Sequence, residues 1–201
     1  MKKVASFLMI MLLLSCGGSY DHNSPAGFIR YMEDPANGCC RTVETNAMIY
    51  KIQLATPQYM ACRELINKTG SIDAELWKKR LAELDGTVFF IVKMARKNKE
   101  NTTEGTSMTD QEHAAQMEAY YGQLAAADFS LIQNGSELQK LAYHFENNYG
   151  LSPENTIIIG FSVKNVQKDL SLTFNDRYTH TPAIKAEFSQ STISQLPNIQ
   201  L

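Results

Sequence analysis

The sequence predicts an α+β fold: a mostly antiparallel sheet or sheets packed with about three helices, and a β-rich C-terminal half. Two observations carry that expectation. Helix-start signals and helical apolar spacing fall in the first two-thirds of the chain, and strands separated by short turns fill the stretch after Asp128. Strands joined by short turns pair antiparallel, because a parallel pair needs a crossover of a dozen residues or more. No internal repeat interrupts the pattern, and residues 27–201 read as one domain.

Residues 27–32 (GFIRYM) are rich in aromatic and β-branched side chains and predict a strand. The run 34–38 (DPANG) is turn chemistry, since Asn-Gly takes positive φ at little cost. Residues 39–45 and 47–54 then complete a three-stranded meander. Thr56-Pro57 starts a helix over 58–68, the hydroxyl capping and the proline filling the first helical position. A second helix restarts at Ser71, carries Asp73 and Glu75 at the positive end of its dipole, and ends at Gly86. Ile72, Leu76, Trp77, Leu81 and Leu84 form its apolar stripe. Residues 87–94 (TVFFIVKM) are apolar almost throughout, as in a central strand covered on both faces.

Residues 97–107 (KNKENTTEGTS) read as a polar loop. Thr109 and Glu112 have capping-box spacing for a third helix, whose core face uses Met117, Tyr120, Tyr121 and Leu124. Beyond it, residues 129–132, 141–145, 156–163, 170–174 and 184–188 read as strands. Leu170, Leu172 and Phe174 alternate cleanly, as do Ile184, Ala186 and Phe188.

The chain opens on Lys2 and Lys3, runs apolar over residues 4–14, and stops in Gly17-Gly18-Ser19. A positive start, a short apolar run and small residues at its end make a secretory signal. The run is about half the roughly 20 residues that a spanning helix needs. Leu13-Leu14-Ser15-Cys16 resembles the lipobox of bacterial lipoproteins. The resemblance implies cleavage between Ser15 and Cys16, a diacylglyceryl group on the Cys16 sulfur, and acylation of the new amino group. Residues 1–15 are then a signal peptide, 16–26 a lipidated polar tether, and 27–201 a globular domain held at a bilayer by acyl chains. Gly17 after the cysteine, where aspartate would retain the protein at the inner membrane, implies the outer membrane in proteobacterial-type sorting. Phe28-Ile29-Arg30-Tyr31-Met32-Glu33-Asp34, Asn37-Gly38, Tyr50-Lys51-Ile52-Gln53 and Pro57-Gln58-Tyr59-Met60-Ala61 also resemble the N-terminal part of uncharacterised lipoproteins of Bacteroidota-type bacteria. That likeness brings no activity with it.

The chain has 19 basic and 21 acidic residues, and loss of Lys2 and Lys3 makes the remainder more acidic. With no domain-wide basic excess, nucleic acid is not an expected partner. Beyond Cys16, the cysteines are Cys39, Cys40 and Cys62. Export permits disulfides, so Cys62 pairs with Cys39 or Cys40, or all three stay free thiols. A bond between Cys39 and Cys40 strains the peptide between them, since neighbouring Cα atoms sit about 3.8 Å apart and bridged ones roughly 5.5–6 Å. No histidine stands at ligand spacing from the pair, so neither a metal nor a cofactor is expected.

His22, His113, His144 and His180 are too far apart in sequence for the helical zinc-hydrolase motif. Gly160-Phe161-Ser162 lacks the second glycine of a nucleophile elbow, position 164 being lysine. A triad of Ser162, Asp176 and His180 can be drawn on paper and defines the alternative function, a hydrolase of envelope polymers. Glu33, Asp34, Asp169 and Asp176 read as turn formers and solvated strand ends. Tyr143, Phe145, Tyr149, Phe161, Phe174 and Tyr178 lie on strands or turns. Such rings fill a sheet–helix core, and any that reach the surface could stack on sugar or grip a peptide. The expected function is a lipid-anchored envelope protein, not an enzyme, that binds or scaffolds an envelope protein or glycan.

Overall fold

The apolar run after Gly86 becomes the central strand of the molecule. In the computed structural model, which describes residues 21, 23–97, 110–148, 152–164 and 168–201, this strand is β3 (Thr87–Arg96), buried at each of its first six positions. It pairs antiparallel with β2 (Met48–Ala55) on one side and β7 (Glu154–Ser162) on the other. β1 (Cys40–Glu44) lies outside β2 and β6 (Lys140–Glu146) outside β7, giving the order β1-β2-β3-β7-β6. A second antiparallel sheet has the order β5-β4-β8-β9, from β4 (Phe129–Gln133), β5 (Ser136–Glu137), β8 (Leu170–Phe174) and β9 (Ile184–Phe188). The fold is α+β, and its C-terminal half is β-rich.

Alternation assigns each side chain of the first sheet to a layer. Tyr50, Ile52 and Leu54, with Phe90, Val92, Ile157 and Ile159, face the second sheet and meet Leu131, Leu172, Phe174 and Phe188 in one core. The opposite face, with Ala55, Phe89 and Ile91, packs against α1 (Pro25–Glu33), α2 (Pro57–Leu65) and α3 (Ala74–Leu84) in a second core. Burying each large apolar side chain contributes about 1.5–3 kcal/mol, and β3 serves both cores. Gly160 of β7 makes room on the helix side, because a Cβ there would lie 2.9 Å from the Phe89 ring.

Residues 27–32 are helical, contrary to the expected strand. Ser24 accepts the Gly27 N–H and Pro25 fills the first position of α1. Phe28 and Met32, four apart, are wholly buried on one face, so burial at helical spacing outweighs the β propensity of the segment. The expected meander is thus a β1–β2 hairpin alone, and α1 takes Pro25 and Ala26 from the stretch expected as tether.

The Thr56-Pro57 start is as expected, Thr56 accepting the Tyr59 N–H. α3 starts later than expected, capped by Asp73 rather than Ser71, and its Leu76 is 54% exposed while Trp77 and Leu84 are buried. After α4 (Asp110–Ala119) a π-helical turn, Tyr120–Leu124, shifts the phase of the apolar face. Tyr120 and Tyr121 are therefore buried and Leu124 is 57% exposed. A short α5 (Gln190–Ser194), capped by Ser189, brings the described α-helices to five, more than the three expected. Ser15, Cys16, nearly all of the 97–107 loop, Thr109 and Tyr149 lie outside the described residues.

Candidate functional site

Asp176, in the connection from β8 to β9, is completely buried rather than solvated. Its Oδ2 accepts the hydroxyls of Tyr50 on β2 at 2.6 Å and of Tyr121 in the π-helical turn at 2.7 Å. Its Oδ1 accepts the backbone N–H groups of Tyr178 at 3.1 Å and Thr179 at 3.3 Å. The four lone-pair directions of the carboxylate are thereby used, which is how a buried anion without a contacting cation is held. A second carboxylate lies beside it: Asp128 Oδ2 accepts the Tyr120 hydroxyl and Arg177 Nε, each at 2.8 Å. Tyr143 of β6 donates to the Tyr121 carbonyl at 2.5 Å.

Burial pushes the hydroxyls of Tyr50, Tyr120, Tyr121 and Tyr143 above the ordinary tyrosine range, and the carboxylate Asp176 adds to the shift in each. They stay protonated, as donors. The cluster therefore latches β2 of the first sheet, and the π-helical turn, to the β8–β9 connection of the second.

A cleft of about 260 Å³ opens beside the latch. Met48 and Met94 line it from β2 and β3, Met117 from α4, and the rings of Tyr121 and Tyr178 from the latch, with Arg96 at the rim. Register explains the convergence. Met94 lies opposite Tyr50 on one side and Asn155 on the other, while Met48 lies opposite Arg96, one diagonal step away on the same face. Asn155 Nδ2 donates to the Met117 sulfur at 3.5 Å, fixing the third thioether over the same rungs. Thioethers neither give nor take protons. They are polarizable, soft donors on flexible stems.

The structure does not assemble the triad drawn from the sequence. Ser162 ends β7 opposite Thr87, seven residues from the Asn155 rung, or roughly 23 Å at ~3.3 Å per residue. Asp176 is occupied by tyrosines and backbone, and His180, at φ 52°, is exposed beyond it in a cleft with Glu44, Thr45 and Thr181. His144 is exposed on β6, the outer strand of its sheet.

Cys39, Cys40 and Cys62 are free thiols. Cys39 and Cys62 are wholly buried in the helix-side core, where burial pushes the first up to about 11 and the second to about 12. Burial also raises half-buried Cys40. None is a thiolate nucleophile near neutral pH. Of the six aromatic residues considered as a sugar platform, Phe161 and Phe174 are buried, Tyr143, Phe145 and Tyr178 are partly buried against the sheet–sheet core, and Tyr149 is not described.

The latch escaped sequence reading because its members lie at positions 50, 121 and 176. Their one local sign was Asp176 followed by Thr179, the spacing of a side chain that accepts backbone N–H groups across a turn. The methionine cleft left no sign at all, since its residues are scattered over three elements.

No protein-family model matches this chain, and no curated protein does. Among solved structures, a DUF4426 family protein from Pseudomonas aeruginosa PAO1 is similar at a TM-score of 0.33 and 8% identity, over 75% of this chain and 91% of that one. A likeness of that degree carries no argument. Among the described residues, no helix is long and apolar enough to cross a membrane, and no group of three or more His, Cys, Asp or Glu side chains could hold a metal ion.

Proposed function

We propose that this chain is a lipid-anchored protein of the bacterial cell envelope, held through Cys16, whose α+β body binds another envelope protein. The observation that carries the reading is the leader: Lys2-Lys3, the apolar run over 4–14, and Ser15-Cys16 in lipobox order. Gly17 favours the outer membrane. Acyl chains at ~0.8 kcal/mol per buried CH₂ make such an anchor durable. A protein partner is favoured over a glycan because, of the described aromatic candidates, Phe161 and Phe174 are buried and Tyr143 and Phe145 pack against the sheet–sheet core. That leaves Tyr178 alone at the cleft beside the latch, too little ring surface for a sugar platform. The hydrolase alternative has no geometric support, given the separation of Ser162 from Asp176.

Mass spectrometry of the protein from its native host tests the anchor. The expected first residue is Cys16 carrying diacylglyceryl and acyl groups, and Cys16→Ala should move the protein out of the membrane fraction. An unmodified first residue, or release by a wash without detergent, overturns the reading. The partner is sought by crosslinking the intact lipidated protein in the envelope, with reciprocal recovery from the partner's side.

A further inference from the structure

We propose that Met48, Met94 and Met117 form a three-thioether site for a soft monovalent cation, Cu(I), with Ag(I) as its redox-inert surrogate. This goes beyond a lipid-anchored binding protein and does not depend on the anchor. Three of the six methionines that follow Cys16 line this single cleft. Soft thioether sulfur selects Cu(I), whereas Zn(II), Ca(II) and Mg(II) favour nitrogen, thiolate or oxygen donors. The three side chains come from separate elements: register sets Met48 and Met94 one diagonal step apart, and the Asn155 contact brings Met117 of α4 over the same rungs. Each methionine has three rotatable side-chain bonds, which lets the sulfurs re-aim toward an ion in the cleft they share. Asn155 uses one lone pair of the Met117 sulfur and leaves the other for a metal, as an outer-shell partner does in known metal sites.

The surroundings suit a univalent ion. The rings of Tyr121 and Tyr178 line the cleft, and ring faces attract cations. The Tyr121 hydroxyl is committed to Asp176 and no carboxylate lines the cleft, so none competes there to hold a hard divalent ion. Arg96 at the rim is the one opposing charge. It is exposed and makes no ion pair among the described residues. The cleft volume, about 260 Å³, falls below the ~300–1,000 Å³ usual for small organic ligands.

The test uses the full lipidated protein in detergent with methionine methyl groups carrying ¹³C, titrated with Ag(I). Because thiols also take Ag(I), it is run in a Cys40→Ser background, Cys39 and Cys62 being wholly buried. The methyl signals of Met48, Met94 and Met117 should shift together and saturate at one equivalent, while those of Met32 and Met60 stay still and Zn(II) moves none. Met94→Leu and Met48→Leu, which conserve volume and so the fold, should each weaken Ag(I) binding by about 100-fold or more, the upper range for disturbing even an outer-shell partner. Arg96→Gln should tighten it. Binding that survives both leucine variants, no shift at stoichiometric Ag(I), or equal shifts at Met32 and Met60 overturns the proposal. Unchanged melting temperatures of the variants show that a loss of binding is not a loss of fold.

Discussion

The two faces of the five-stranded sheet are closed by different means. Toward the second sheet, an apolar core ends in a directional device, Asp176 gripping Tyr50 and Tyr121. Toward the helices, Phe28, Met32, Trp77 and two thiols pack on Phe89 and Ile91, and the comparable tyrosine bond runs from Tyr59 to exposed Glu33 at 2.8 Å. A donor orphaned in the interior costs about 1–3 kcal/mol, whereas a surface partner returns to water. The sheet–sheet face is therefore held in one arrangement by hydrogen-bond geometry, and the helix face mainly by buried area.

The sharpest way to break this contrast is Asp176→Ala, which removes the acceptor of two hydroxyls and two N–H groups at once. It should lower stability by about 3–5 kcal/mol in urea unfolding; a loss under about 1 kcal/mol would mean the latch is incidental. One substitution made on both faces sharpens the comparison further. Tyr50→Phe should cost about 1.5–3 kcal/mol, as for a bond to a buried charged group, and Tyr59→Phe only about 0.5–1 kcal/mol. On the helix side the vulnerable feature is packing, so Gly160→Ala should cost about 1–3 kcal/mol by forcing the Phe89 ring aside. Removing the cap of α1 with Ser24→Ala should cost about 1 kcal/mol.

The thiols give the helix side its own pH signature. Burial raises Cys39 to about 11 and Cys62 to about 12, from an ordinary value of 9.0. The unfolded chain therefore loses these protons first. Stability should be unaffected by them below pH 9 and should fall as pH rises from there toward about 12. The latch tyrosines act in the same direction at high pH. Cys62→Ala should flatten part of the decline in urea midpoints measured between pH 8 and 11, and an identical decline would exclude Cys62 as a source.

Legibility in the sequence followed the range of the interaction. β3, β8 and β9 were readable because burial on one or both faces imposes a run or an alternation on neighbouring residues. α2 is readable from Thr56-Pro57, whereas the same start signal at Ser24-Pro25 is masked by the aromatic and β-branched content of residues 27–32, which predicts a strand where α1 forms. Asp176 read as a solvated turn residue for a similar reason. Its turn role is local and visible, whereas its burial depends on tyrosines 126 and 55 residues away. The division of the strands into two sheets depends on pairings such as β3 with β7, and no local pattern encodes those.

The order in which the chain visits its sheets has a consequence for how it is made. It builds three strands of one sheet, crosses to lay down β4 and β5, returns for β6 and β7, and crosses back for β8 and β9. Neither sheet is a contiguous stretch of polypeptide, so a shortened chain ending before residue 170 would lack half of one sheet and the carboxylate that joins it to the other. Cooperative folding must wait for almost the last segment to be synthesised.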